Sequence, residues 1–312
     1  MDTLFDGLEQ IASYILNIEK RTYWAFLLSS GVIAFIVWRV QKIKHSFFHY
    51  IFNRKVWLSK SAGIDYGILI LNAYIKLILL SSLAVYGLHF AYKVNYQFEV
   101  WFGQPVKLSA AQVYVFYTIA LTLAKDFSFF IVHYTMHKIP ILWEFHKIHH
   151  SATTLNPLTQ YRIHPVELII NNVVSVFIFA LITGFFDFLS DEHVNQYTLY
   201  GVGIVAFLFL SSGANLRHSH VKLKYPSFLE KIFISPYQHQ IHHSNNPDHY
   251  DSNLGGKFAF WDLLFGTLIQ SKDVERIEFG LGEEDKDYDT LSKNLFLSPV
   301  RNLFSRIRSK RK

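Results

Sequence analysis

"AQVYVFYTIALTLAKDFSFFIVH", residues 111–133, is an almost unbroken apolar run that ends on a histidine. About 20 such residues make a helix long enough to cross the hydrocarbon core of a bilayer. This stretch decides the fold: it reads as a membrane helix that carries an imidazole to one membrane face. Three further segments have comparable length, 22–40, 64–90 and 166–189, and a shorter one follows at 197–214. The expected fold class is therefore all-α, a polytopic membrane helix bundle of about four to five spans.

The composition agrees. Of 312 residues, 51% are hydrophobic, 17% aromatic and only 17% charged, which is too apolar for an ordinary soluble enzyme. The net charge of +6 could indicate nucleic acid, but the basic residues flank apolar segments, so a membrane surface is the partner expected and nucleic acid is not. The absence of cysteine excludes disulfides, thiolate zinc sites and iron–sulfur clusters. No basic n-region precedes the first apolar run, so no cleavable signal is expected.

Loop charge gives an orientation. Arg39, Lys42, Lys44, Arg54, Lys55 and Lys60 follow the first span with no acidic residue before Asp65, which places that loop in the cytoplasm. Counting onward, 134–165 and everything after 214 fall on the same side. Three histidine patterns lie there or at its border: His133-x3-His137, His146-x2-His149-His150 and His239-x2-His242-His243. Residues three and four apart share a helix face, so a His pair at i and i+4 can hold one metal. In the i, i+3, i+4 trios two rings can serve one ion while the third leans toward a neighbour. Imidazole suits iron, zinc, copper and nickel. Eight rings exceed the four ligands of one zinc ion and suit two ions with open positions. The expectation is a cytoplasmic His-rich helical metal cap. His45, His49, His89 and His193 stand alone and read as structural. Asp126 lies two helical turns before His133 on the same face, and is expected to accept an imidazole N–H.

Residues 4–18 carry a helical apolar stripe that suits either a membrane surface or packing on the bundle. Lys76 reads equally well as a snorkelling or a functional lysine. Residues 271–290 read as a polar linker, and the tail from 291 as an interfacial basic helix.

The boxes, together with "DFSFFIVHYTMH" (126–137), "LWEFHKIHHSATTLNPLTQYRIHPVE" (142–167), "NLRHSH" (215–220), "SPYQHQIHHSNN" (235–246) and "DSNLGGKFAFWDLLFGT" (251–267), make the chain resemble the integral-membrane fatty acid hydroxylase superfamily, which includes sterol desaturases, sphingolipid hydroxylases and alkylglycerol monooxygenase. The likeness covers 111–270, giving a membrane-anchoring region 1–110, a catalytic core 111–270, and a linker and basic tail 271–312. It implies that His133, His137, His146, His149, His150, His239, His242 and His243 are metal ligands and that His218 is a further one. It leaves His164 and His220 as additional ligands or partners of ligand rings, has Arg162 and Glu167 support the site, and allows Asn215 to place a water on one metal. The implied cofactors are two iron ions, with zinc as a substitute, and O2 as co-substrate. The implied reaction is hydroxylation or desaturation of a C–H bond in a sterol, fatty acyl, sphingoid or ether lipid. No nucleotide fingerprint, cysteine cluster or fused cytochrome is visible, so a separate electron donor of cytochrome b5, ferredoxin or reductase type is expected. Tyr134 stands where the family often has arginine, which bears on substrate or partner contacts rather than on metals. A bacterial inner membrane is favoured over the endoplasmic reticulum. The alternatives are a zinc-dependent lipid hydrolase with Glu144 or Asp248 as base, and a membrane metal transporter or sensor.

Overall fold

The computed structural model describes residue 9 and residues 12–309, except 192, 193, 195–197, 200 and 201. The molecule is helical, with one two-residue antiparallel ladder at Thr198–Leu199 and Val202–Gly203. Its principal helices are α1 (Trp24–Val40), α2 (Lys60–Phe102), α3 (Ala110–Lys138), α4 (Pro140–His150), α5 (Pro165–Phe188), α6 (Ile204–Ser211), α7 (Pro236–His242), α8 (Phe260–Phe265) and α9 (Ser298–Ser309). Three of them have stretches long and apolar enough to cross a membrane: Lys60–Ile78 of α2, all of α3 and all of α5. α1 is apolar but shorter. At roughly 1.5 Å per residue α3 and α5 are about 43 and 36 Å long, which exceeds the ~30 Å hydrocarbon core.

The fifth expected span does not form a crossing helix among the described residues. α6 has eight residues, about 12 Å, and glycine brackets it: Gly203 is its N-cap, and Gly213, just past its end, is left-handed at φ 88°. The segment is already short for a span, and the glycines cut it further.

α2 and α5 approach closely. A Cβ on Gly184 would stand 2.3 Å from the Ala91 carbonyl oxygen and 2.7 Å from Val94 Cβ, so this contact requires glycine. α3 begins with a capping box in which Ser109 and Gln112 satisfy each other's backbone amides. It ends at Ile139, held extended before Pro140, and that same proline opens α4. One residue thus turns the chain from a spanning helix into a helix across its end.

The stretch 271–290 is not a loose linker. Tyr288 and Leu295 join Ile64, Ile68 and Ile148 in one apolar cluster. The tail is anchored to the bundle on its polar side, where Arg306 and Asn302 of α9 both bind the buried Glu144 carboxylate of α4 at 2.6–2.8 Å, while Val300 and Phe304 stay exposed. Of the 4–18 stripe, residues 4–8, 10 and 11 lie outside the described residues. Its end packs on the bundle, with Tyr14 buried against Leu69, Ala73 and Tyr161. Lys76 takes the structural reading, its ammonium over the Tyr14 and Tyr161 rings at 5.6 and 5.9 Å. His193 is also outside the described residues.

Candidate metal centre

The end of α3, all of α4, the turn 214–218 and α7 converge on one buried region. α7 starts with Pro236 after a Ser235–Gln238 capping box, which fixes its direction. The Gln240 amide binds the carbonyls of Leu216 and Val221 at 3.0 and 2.9 Å, and so fastens the segment bearing His218 to α7.

All nine histidines expected as ligands meet here, in two sets. His133, His137, His146, His150 and His242 form one; His149, His218, His239 and His243 form the other. The trios divide by spacing. His146 and His150 join the first set and His149 the second. His239 and His243 join the second set and His242 the first. Each trio therefore gives its i and i+4 rings to one set and its i+3 ring to the other, which binds the two sets into one structure.

The rings fit metal ions. Facing Nε2 atoms stand 3.1 Å (His133–His146), 3.2 Å (His146–His150), 3.3 Å (His149–His218), 3.2 Å (His218–His243) and 3.1 Å (His218–His239) apart. Two nitrogens each about 2.1 Å from one ion, at angles of roughly 90–110°, are about 3.0–3.4 Å apart. Neutral rings that donate through Nδ1 present bare lone pairs at Nε2, and lone pairs do not bond one another. Several Nδ1 atoms do have acceptors. His133 donates to the Leu254 carbonyl (2.8 Å), His242 to that of Ser252 (2.8 Å) and His149 to that of Arg162 (3.3 Å). His137 Nδ1 faces Asp251 at 3.2 Å, and His146 Nδ1 lies 3.0 Å from Glu167. The buried Nε2 atoms of His137 and His242 have no hydrogen-bond partner. Tautomers set from outside and lone pairs aimed inward are what a divalent cation requires.

Burial also keeps the rings neutral. It pushes His146 down to about 3, and burial plus the neighbouring His146 does the same to His149. An unfolded histidine titrates near 6.5, so between about pH 6.5 and 3 the unfolded chain binds protons that the folded metal-free chain refuses. Each of these two rings therefore contributes full stability above about pH 6.5 and loses about 1.4 kcal/mol per pH unit as pH falls below it. Metal-free protein, unfolded by denaturant in detergent at pH 7.5 and at pH 5, is expected to be markedly weaker at pH 5. Equal stability would contradict this account of the rings.

Two further carboxylates shape the centre through one loop, 251–258. Asp126 differs from expectation: its oxygens accept the backbone N–H groups of Lys257 (2.8 Å) and Phe258 (3.1 Å) and the Trp261 indole (3.2 Å), not an imidazole. Asp262 accepts from the N–H groups of Leu254 (2.7 Å) and Gly255 (2.8 Å) and from the Thr267 hydroxyl (2.6 Å). The carbonyls of Ser252 and Leu254, which orient His242 and His133, belong to this clamped loop. Glycine permits the approach. A Cβ on Gly256 would stand 2.7 Å from Asp126 Oδ1, and one on Gly255 would stand 2.8 Å from Asp262 Oδ2. Asp251 and Asn253 are left-handed, with φ 56° and 52°. Asp262→Asn offers one acceptor where two are used, and is expected to weaken metal retention about 10–100-fold without unfolding the protein. Metal loss to a chelator over time measures this; unchanged retention would show that the loop does not orient the rings.

Other expected residues fall outside the two sets. His164 is the N-cap of α5: its Nδ1 accepts the Val166 N–H (3.1 Å) and its Nε2 donates to the Leu295 carbonyl (3.0 Å), so neither nitrogen is left for a metal. His220 packs edge-on against Tyr50. Asn215 donates to the Arg21 carbonyl at 2.8 Å. His45, His49 and His89 belong to neither set. Sequence reasoning missed Asp262, Asn253 and the Gly255–Gly256 pair, although the closing "WDLLFGT" contains Asp262.

A cavity of 290 Å³ borders the five-histidine set. His137, His150 and His242 line it with Lys147, Asp251 and Glu284.

The histidine boxes, the 214–218 turn and the clamped loop all fall within a match to the fatty acid hydroxylase family model, which covers residues 118–267. The core of this chain is a fatty acid hydroxylase domain. The domain is 28% identical over 160 residues to alkylglycerol monooxygenase of Xenopus tropicalis, covering 51% of this chain and 31% of that one. It is 27% identical over 162 residues to an ornithine lipid hydroxylase of Rhizobium tropici, covering 50% and 43%. It is 30% identical over 154 residues to human cholesterol 25-hydroxylase, covering 47% and 48%. The chain thus spans less than half the length of these relatives. No solved structure matches it.

Proposed function

We propose that this chain is a membrane-bound, O2-dependent oxidoreductase that uses two iron ions to hydroxylate, or desaturate, a C–H bond of a lipid. The observation that carries the reading is the division of nine buried imidazoles into sets of five and four. When bound there, iron would supply oxygen activation and the oxidising power to attack an unactivated C–H bond. The five-membered set would hold one ion and the four-membered set the other. The Leu254, Ser252 and Arg162 carbonyls hold their rings as Nδ1–H tautomers, and burial keeps water from the lone pairs. Alkylglycerols, ornithine lipids and cholesterol figure in the relatives' names, which supports a lipid substrate without choosing among sterol, acyl, sphingoid and ether classes. Reducing equivalents come from a separate donor of cytochrome b5, ferredoxin or reductase type, for which the cavity at His137 and His150, with Lys147, Asp251 and Glu284 in its wall, offers an approach. The histidine side is cytoplasmic on the loop-charge argument, in a bacterial inner membrane or, alternatively, the endoplasmic reticulum.

The hydrolase alternative loses the two bases named for it, because Glu144 is spent on Arg306 and Asn302 and Asp248 is exposed. The transporter alternative wants ligands near mid-span. His133 and His137 lie in the last turns of α3.

Wild type and His149→Ala, expressed in a lipid-rich host with a donor, are compared by untargeted lipid mass spectrometry. A species gaining one oxygen or losing two hydrogens only with wild type is expected. Identical profiles from two folded, metal-analysed proteins in hosts supplying each lipid class would end the oxidative reading.

A further inference from the structure

The segment between α1 and α2 carries a charge pattern that the metal centre does not use. From Arg39 to Ile64 it holds six lysines and arginines, two histidines and no acidic residue. Arg39, Lys42, Lys44, Arg54 and Lys55 are exposed, and among the described residues none of them makes an ion pair. The spanning stretch of α2 begins at Lys60, so this charge lies at a membrane face. Val40, Phe48, Phe52 and Leu58 stand exposed among the cations. Aromatic and aliphatic side chains interleaved with lysine and arginine beside a span suit a lipid interface better than an acidic protein.

The segment is also built to hold a shape. The Trp38 indole donates to the His45 carbonyl and the Trp57 indole to the Ile51 carbonyl, both at 2.8 Å. The Gln41 amide donates to the Lys222 carbonyl at 3.0 Å, and the Tyr66 hydroxyl to the Trp57 carbonyl at 2.7 Å. The short helix Phe47–Ile51 packs through Phe47, Tyr50 and Ile51 on the cluster that contains Leu216 and Val221, on either side of His218. A cavity of 430 Å³ opens in this frame, lined by His45, His49, Tyr50, Phe52, Arg54 and Lys55. The His45 and His49 rings lie 5.2 Å apart, centroid to centroid. The cationic groups are thus in the cavity wall itself, exposed and without an anion.

We infer that this cavity seats the phosphate head group of an anionic phospholipid from the leaflet the segment faces. Arg54 and Lys55 supply the charge, the two imidazoles supply further N–H donors, and the exposed Phe48 and Phe52 rings meet the start of the acyl chains. Guanidinium and ammonium groups give phosphate charge-assisted hydrogen bonds. Basic clusters directly beside a spanning helix concentrate anionic lipid. The lipid here is a bound structural ligand and not the substrate, so the inference stands or falls apart from the oxidative reading.

The test uses the full chain in a neutral detergent at fixed ionic strength. Calorimetry measures binding of dioctanoyl phosphatidylglycerol, dioctanoyl phosphatidylcholine and inorganic phosphate. The proteins are wild type, Arg54→Gln/Lys55→Gln, the charge-keeping Arg54→Lys/Lys55→Arg, and Arg308→Gln in the other basic segment. Wild type is expected to bind phosphatidylglycerol about tenfold or more tightly than phosphatidylcholine. Arg54→Gln/Lys55→Gln should lose most of that preference. Both side chains are exposed, so its melting temperature without lipid should match wild type. The charge-keeping variant and Arg308→Gln should retain the preference. Equal wild-type affinity for the two lipids would overturn the proposal and leave an acidic protein as the match for the patch. A preference unchanged in Arg54→Gln/Lys55→Gln, or lost in Arg308→Gln alone, would overturn the assignment to this cavity. Inorganic phosphate bound as tightly as phosphatidylglycerol would overturn the lipid as occupant in favour of a free anion.

Discussion

His239→Ala is expected to purify with one metal equivalent per chain instead of two, and to oxidise no lipid. His239 belongs to the smaller set, and its loss leaves His149, His218 and His243. Three imidazoles are one short of the usual four-ligand shell, and the vacated space is buried next to the charged Arg217. The other set keeps all five rings, so its ion should stay. His137→Ala is the informative contrast. It leaves four rings in the larger set, so both ions are expected at saturation, with weaker retention of one. Elemental analysis after identical iron loading and desalting reads the difference directly. Two equivalents in His239→Ala, or loss of both ions in both variants, would mean that the sets do not act as separate sites.

The second large effect concerns Arg162, which is 0% exposed. Its guanidinium caps the C-terminal end of α4, with Nε bound to the Ile148 carbonyl at 2.9 Å and Nη2 to the Ser151 hydroxyl at 2.8 Å. It also binds Ser61 Oγ (3.1 Å), Asp65 (3.1 Å) and Asn294 (3.2 Å). Arg162→Met would leave Asp65 as a buried charge with only Asn156 and Thr159 as neighbours. Removing one partner of such a pair costs on the order of 3–5 kcal/mol. Arg162→Lys should rescue little, because a point charge cannot span the three segments that a planar fork spans. Denaturant titration in detergent checks both variants, and a loss below about 1 kcal/mol would show that the hub is redundant. Metal retention should fall with stability, since the Arg162 carbonyl orients His149.

These expectations trace back unevenly to the sequence. The trios were legible because spacings of three and four impose a helix face whatever surrounds them. His218 stands in no such pattern, and only family resemblance pointed to it. Asp126 shows where face arguments stop. Seven residues do put it on the side of His133, but about 10 Å lower along α3, and the loop from 251 fills that gap. His164, left open as a ligand or as a partner of ligand rings, loses the ligand role for a reason in plain view. The proline after it starts α5, and an N-cap imidazole is drawn to the free backbone N–H groups there. The tail reads as an interfacial basic helix, and its pattern gives the apolar face, where Val300 and Phe304 stay exposed, but not the partner of its polar face. Pairing of Arg306 with Glu144, 162 positions apart, is a tertiary fact with no local signature.

That tail has a consequence for biogenesis. Every histidine of the centre has been synthesised by position 243, yet Asn294, which closes the hub beneath α4, and Arg306, which anchors the same helix, are made only after it. Chain growth and site assembly therefore run in different orders. The imidazoles are made before the strap that steadies them, so a nascent chain stalled before residue 294 would present its rings on an unbraced helix.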